Sequence, residues 1–135
     1  MQKPIRVLLA KYFWVVSIAI TLFIAWISLI DPKNLPPVNF SFSDKVAHCL
    51  AYFALALTWF FALFFKTVTK KQVLKQTLLF LGLVLYGIFI EFLQDRLTTY
   101  RTFDYYDMLA NSIGILIGFT IFRIFQQRFV NLLET

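Results

Sequence analysis

The sequence predicts an all-α integral membrane protein, a four-transmembrane-helix bundle with both termini in the cytoplasm. Three observations support this fold class. The 135 residues are 60% hydrophobic and 15% charged, with a mean hydropathy of +0.74, whereas soluble domains are nearer to half apolar and a quarter charged. Four apolar stretches approach the roughly 20 residues that a helix needs to cross a bilayer. The basic residues are concentrated on one side of the resulting topology.

The first predicted span covers residues 12–30 and has no charge between Lys11 and Asp31. Basic residues before an apolar run are also typical of a signal peptide. This run is longer than a signal-peptide core, and no A-x-A-like cleavage site follows it. We therefore expect an uncleaved helix that anchors the chain in the membrane.

The other three predicted spans cover residues 44–65, 75–94 and 105–125. The second has polar groups only in its first turns, and the third and fourth each contain one internal acidic residue, Glu91 and Asp107. Helices or closed barrels alone satisfy every backbone group in lipid, and these runs lack the alternation of barrel strands. The connections are short, which predicts a single membrane domain over residues 1–135.

The basic residues set the predicted orientation. A cytoplasmic N-terminus places nine of them inside and four outside, and cytoplasmic loops carry the excess of Lys and Arg. The inner set is Lys3, Arg6, Lys11, Lys66, Lys70, Lys71, Lys75, Arg123 and Arg128, and the outer set is Lys33, Lys45, Arg96 and Arg101. All acidic residues except Glu134 fall outside, so the net charge of +6 arises at the inner surface. Anionic lipid headgroups account for it; we expect the bilayer as partner and no nucleic acid.

Polar residues able to bind or catalyse lie at one end of three spans. In a four-span topology the start of the second span, the end of the third and the start of the fourth share one bilayer surface. We therefore expect these residues to meet on the extracytoplasmic side. They are Asp44, Lys45, His48, Tyr52, Glu91, Gln94, Arg101, Asp104, Asp107 and Asn111.

Helical spacing places the polar residues of the fourth span on one face. At about 100° per residue, Asp104, Asp107 and Asn111 fall within an arc of about 80° that also contains Gly114 and Gly118. Two glycines separated by three residues permit close approach of a neighbouring helix. The sequence therefore predicts that this polar face points into the bundle.

Glu91 and Asp107, the two acidic residues inside predicted spans, need partners, because a charge near the bilayer centre costs at least about 2.5–3.5 kcal/mol. Lys45, His48 and Arg101 are the candidates for Glu91 and Asp107. Local roles are also open for some of these residues. Asp44 fits a capping box with Ser41, and Asp104 and Asp107 suit the first turn of a helix. His48 and Glu91 have no such local role.

The same residues resemble the motifs of the VanZ-like family. Residues 44–55, DKVAHCLAYFAL, resemble its D-K-x-x-H-x-x-x-Y-x-x-L signature, and residues 90–94, IEFLQ, resemble its I-E-x-x-Q segment. The third motif, R-x-x-D-x-x-D-x-x-x-N-x-x-G, begins at Arg101, and the similarity covers residues 44–118. Residues 95–100 depart from the pattern because they lack the family's Pro-Gly turn. The resemblance implies a small, multi-pass protein of the bacterial cytoplasmic (inner) membrane, one of whose relatives gives resistance to the glycopeptide teicoplanin.

Three functions are compatible with these residues. The first is binding of an anionic group, from a lipid-linked envelope precursor or a phospholipid headgroup, in the cell-envelope or glycopeptide response. The second is a membrane hydrolase or transferase acting on a phosphorylated lipid or cell-wall precursor. The third is a polar network with only a structural role.

Residue roles follow from these alternatives. His48, Glu91 and Asp107 are the catalytic candidates, with His48 or Glu91 as general base. Arg101 would hold a phosphate or carboxylate. The remaining binding candidates are Asp44, Lys45, Tyr52, Gln94, Asp104 and Asn111. One histidine among carboxylates matches no standard zinc set, and we predict no metal and no cofactor. The oligomeric state is not determined by the sequence.

The topology can be tested by cysteine-accessibility labelling in intact cells. We expect cysteines introduced at Asn34 and Thr99 to react with a membrane-impermeant reagent, and those at Thr69 and Glu134 to be protected. Labelling of Thr69 from outside would place the polar residues on the cytoplasmic side and overturn the predicted orientation.

Overall fold

Four helices form the protein, as the sequence predicts. The computed structural model describes residues 3–30, 41–67, 72–99 and 102–134, with side chains described from 44 to 66 in the second range and up to 130 in the last. These ranges contain no strand. The helices are α1 (Lys3–Ser28), α2 (Ser41–Thr67), α3 (Val73–Leu97) and α4 (Tyr105–Glu134). Ser41, the predicted capping partner of Asp44, has its side chain outside the described part.

Each helix is long and apolar enough to cross a membrane. The candidate spans are Lys3–Ser28, Asp44–Lys66, Val73–Leu97 and Tyr105–Val130. Five of the eight ends of these spans lie beyond the ends predicted from the sequence. The largest difference is in α1, which begins at Lys3 and not at residue 12. Lysine and arginine are good helix formers, and their long side chains reach back to the polar interface, so basic flanks continue a helix.

The second helix, α2, lies at the centre of the bundle and contacts each of the other three helices. Its aromatic residues pack against α4: Phe60 and Phe122 are fully buried and stacked, with ring centroids 5.3 Å apart, and Phe64 contacts Phe122 edge-on. Such aromatic pairs contribute about 0.5–1.5 kcal/mol beyond area burial. Packing of this kind matters in a membrane, because lipid tails are as apolar as the side chains and provide no hydrophobic drive between helices.

The backbones of α2 and α4 are in direct contact at two glycines. A Cβ at Gly114 would lie 2.2 Å from the carbonyl oxygen of Cys49, and one at Gly118 would lie 3.0 Å from the carbonyl oxygen of Phe53. The predicted close approach at the glycine pair is confirmed, and the helix that approaches is α2. Since Cys49 follows His48, this contact places the polar start of α2 beside that of α4.

Replacement of Gly114 should destabilise the bundle. Gly114→Ala places a methyl group against backbone, which cannot move aside as a flexible side chain does, so we expect a loss of about 1–3 kcal/mol of stability. Thermal unfolding in detergent measures it. Gly82→Ala is the matched control, because a Cβ at Gly82 meets nothing within 4 Å. Equal unfolding temperatures for the two variants would contradict the backbone contact.

Candidate functional site

Polar side chains from three helices meet at one end of the bundle, where α2 begins, α3 ends and α4 begins. Asp95 near the end of α3 accepts the backbone N–H of Phe103 at 3.2 Å, which holds the segment before α4 against α3. Of the ten residues predicted to meet, eight lie together here. We call the group the His48 cluster; its members are Asp44, Lys45, His48, Tyr52, Glu91, Asp104, Asp107 and Asn111.

Lys45 joins α2 to the start of α4 through two carboxylates. Its Nζ donates to Asp104 Oδ2 at 2.6 Å and also to Asp107 Oδ1. The two ion pairs differ in burial, because the side chain of Asp107 is 6% exposed and that of Asp104 is 37% exposed. The Asp107 pair is therefore the one that compensates a buried charge. Lys45 is therefore the cationic partner that the sequence analysis expected for Asp107.

Asp104 has a local role in addition to its ion pair. Its carboxylate accepts the backbone N–H of Tyr106 at 2.8 Å, and its carbonyl accepts the N–H of Met108, so it caps the N-terminus of α4. The hydrogen bond from Lys45, followed by that from the Tyr106 N–H, holds the pKa of Asp104 below its usual value. The carboxylate is thus ionised while it serves both partners.

His48 lies among three carboxylates and one amide. Its Nδ1 is 3.0 Å from Asn111 Oδ1 and 3.8 Å from Glu91 Oε1. Its Nε2 is 3.8 Å from Asp107 Oδ2 and 3.9 Å from Asp44 Oδ1. The three catalytic candidates therefore lie together, with His48 between the other two. If Nδ1 donates to Asn111, Nε2 carries the free lone pair and faces the two aspartates.

The inner part of the cluster is fully buried. Tyr52, Glu91 and Asn111 are each 1% exposed. Gly87 gives them room, because a Cβ there would lie 3.2 Å from the Tyr52 ring and 3.6 Å from Asn111 Nδ2. Two buried polar atoms, the Tyr52 hydroxyl oxygen and Asn111 Nδ2, have no hydrogen-bond partner in the described part of the chain. Most buried polar atoms are hydrogen-bonded, so such atoms call for an explanation.

Of the two remaining predicted binding residues, Gln94 makes its side-chain hydrogen bond outside the His48 cluster. The side-chain amide of Gln94 is buried and donates to the carbonyl of Ser28 at 2.9 Å. It therefore satisfies a carbonyl at the C-terminus of α1 and links that helix to α3. Arg101 lies outside the described residues.

One group within the cluster has the spacing of a metal site. Asp44, His48 and Asp107 each offer one ligand atom, and these atoms lie within 4.8 Å of one another. The Lys45 ammonium already contacts Asp107, so a metal ion would be repelled by it at that carboxylate. We assign no metal role to these residues.

Sequence reasoning missed a second buried polar group at the opposite end of the bundle. Gln76 at the start of α3 and Gln126 in α4 are 1% and 3% exposed, and both contact Arg123. The signal was present, because glutamine is unusual in an apolar stretch. The two glutamines can be interpreted only when α3 is known to lie beside α4, and the spacing of residues along one helix does not show which helices are neighbours.

Four membrane-length helices with a polar cluster at one end define a multi-pass helical membrane protein. The family model described as VanZ/LLP1 matches residues 5–126, and the chain belongs to that family. The match also includes most of α1, which lies outside the motif region at residues 44–118.

A relative with a similar sequence occurs in a fungus. An uncharacterized protein of Schizosaccharomyces pombe is 32% identical over 93 residues, which make up 69% of this chain and 54% of that protein. The chain thus spans about half the length of this relative. No solved structure matches the chain.

Removal of the Lys45 charge should destabilise the protein through Asp107. Lys45→Met leaves a buried carboxylate without its cation, and we expect a loss of about 1–3 kcal/mol. Adding Asp107→Asn should recover most of this loss, because the buried charge is then absent. Asp104→Asn is the control, since its exposed carboxylate is hydrated and gains little from the pair. Equal recovery from both second substitutions, measured by thermal unfolding in detergent, would contradict this assignment.

Proposed function

We propose that this chain binds an anionic group of a lipid-linked envelope molecule at the His48 cluster. In this proposal the protein lies in the bacterial inner membrane with both termini inside, so the cluster faces the extracytoplasmic side. The ligand is a phosphorylated lipid or lipid-linked cell-wall precursor, which would connect the protein to the envelope and to the glycopeptide resistance that one VanZ-like relative gives.

The observation that carries the proposal is a pair of buried donors that have no hydrogen-bond partner among the described residues. A polar network with a purely structural role is expected to satisfy all of its members, because each unmet buried group costs about 1–3 kcal/mol. The Tyr52 hydroxyl and Asn111 Nδ2 remain unmet among the described residues. Both can donate a hydrogen bond. A ligand rich in acceptor oxygens, such as a phosphate, would satisfy them.

Side-chain exposure decreases from the rim of the cluster towards these donors. The side chains of Asp44 and Lys45 are 43% and 30% exposed, that of His48 is 13% exposed, and that of Glu91 is 2% exposed. A headgroup at the membrane interface would thus meet Lys45 and His48 before the buried residues. Lipid tails would remain in the bilayer beside α2 and α4.

The net charge of the cluster determines what must change before an anion can bind. The cluster contains four carboxylates, against one lysine and one histidine, so an anion needs added positive charge. Lys45 can supply part of it by leaving exposed Asp104, since exposed ion pairs contribute only about 0–1 kcal/mol. Arg101, which belongs to the same sequence motif as Asp104 and Asp107, is a further candidate.

A second candidate function is favoured by the surroundings of His48. Both ring nitrogens face carboxylates at 3.8–3.9 Å, an arrangement in which the ring can take up and return a proton. His48 would then take a proton from a water whose oxygen attacks a phosphorus atom of a phosphorylated lipid or cell-wall precursor, with Glu91 or Asp107 stabilising the imidazolium. The P–O bond to the leaving group would break, and His48 would return the proton to the leaving oxygen. No G-x-S-x-G motif occurs in the sequence, which disfavours an acyl-enzyme mechanism.

Replacement of Tyr52 separates binding from structure. Tyr52→Phe removes a hydroxyl that bonds to no described residue, so the unfolding temperature in detergent should be unchanged or higher. Binding of undecaprenyl phosphate, followed by native mass spectrometry, should weaken at least about tenfold, because the lost bond is to a charged group. Tyr86→Phe is the reciprocal control: its hydroxyl donates to the Thr21 carbonyl, so stability should fall by about 1 kcal/mol while binding is retained.

The outcomes distinguish the three functions. Wild-type protein that does not retain undecaprenyl phosphate, or a Tyr52→Phe variant that retains it equally, would refute the binding proposal and favour a structural network. Release of phosphate from undecaprenyl pyrophosphate by wild type, lost in His48→Gln while binding persists, would establish the enzyme. Binding without release in the wild type would support the binder.

A further inference from the structure

A guanidinium group is fixed between α3 and α4 at the end of the bundle opposite the His48 cluster. Gln76 Nε2 donates to Gln126 Oε1 at 3.1 Å, which joins the two helices. Arg123 Nη1 donates to Gln76 Oε1 at 2.8 Å and to Gln126 Oε1 at 3.4 Å. Both glutamines are buried, so the two amide oxygens hold the arginine head in one orientation.

The partners of Arg123 are neutral. No carboxylate of the described residues lies within ion-pair distance of it, and the sequence has no aspartate or glutamate from residue 45 to 90 or from 108 to 133. The described hydrogen bonds engage only Nη1, whereas a guanidinium presents five N–H donors. Its Nε and Nη2 donors are therefore left for a group outside these contacts.

The surroundings favour an anion. Lys75 precedes Gln76 and is exposed, and Arg128 is exposed on α4, so this end carries an excess of positive charge. Positive charge near a membrane surface attracts anionic lipids. A guanidinium also matches phosphate in shape, because two parallel N–H donors can bind two oxygens. Orientation by the glutamines removes part of the ordering cost that a free arginine would incur on binding.

We propose that Arg123, oriented by Gln76 and Gln126, binds the headgroup phosphate of an anionic phospholipid in the leaflet opposite the His48 cluster. This site is separate in place and in residues from the one under Proposed function. The alternative is that the three side chains form only a clasp that sets the register of α3 against α4.

The test compares two arginines at the same end of the bundle. Full-length protein is placed in nanodiscs of phosphatidylcholine with increasing phosphatidylglycerol, and the lipid that remains bound is measured by native mass spectrometry. Arg123→Gln should lower the preference for phosphatidylglycerol at least about tenfold. Arg128→Gln makes the same change of charge outside the network, so it should lower the preference much less than Arg123→Gln does.

Further variants and a competitor complete the test. Arg123→Lys keeps the positive charge but loses the two parallel N–H donors of the guanidinium. It should therefore fold and show a weaker preference for phosphatidylglycerol than the wild type. If Arg123→Gln does not fold, Arg123→Lys is the variant to compare with the wild type. Equal effects of the Arg123 and Arg128 variants, or a wild type without preference, would overturn the proposal and leave the structural clasp. Displacement of bound lipid by millimolar inorganic phosphate would overturn the assignment to a lipid headgroup.

Discussion

The contact between the backbones of α2 and α4 determines where the polar residues of this protein lie. Gly114 leaves no space for a side chain against the carbonyl of Cys49, so the two helices meet at a fixed depth and register. His48 lies one residue before that carbonyl, and Asn111 one helical turn before Gly114. The backbone contact therefore brings the two side chains close enough for His48 Nδ1 to lie 3.0 Å from Asn111 Oδ1.

Polar groups at the two ends of the bundle are held by different means. At one end, carboxylates, a lysine and a histidine share charge across α2, α3 and α4. At the other, neutral amides orient a single arginine between α3 and α4. The aromatic packing of Phe60, Phe64 and Phe122 separates them. The two polar groups therefore lie at opposite ends of the bundle with an apolar layer between them.

Much of this arrangement could be predicted from the sequence, because it depends on length and period alone. Apolar runs of bilayer length define four helices, alternation of direction brings three polar segments to one end, and helical period aligns Asn111 with Gly114. The partners of individual side chains depend on which helices adjoin and on rotamers. Gln94 therefore bonds to Ser28 of α1, away from the cluster, and the Gln76 and Gln126 pair was not anticipated.

The unequal burial of the two carboxylates on Lys45 has a consequence for the response of the protein to ionic strength. Mobile ions screen charges in solvent over about 8 Å at 0.15 M salt, and they screen buried pairs much less. Added salt should weaken the Lys45–Asp104 pair while the Lys45–Asp107 pair persists. The first turn of α4 would then loosen from α2 at the surface without separation of the helices below, so the ionic environment outside the membrane sets how freely Lys45 can turn to another anion.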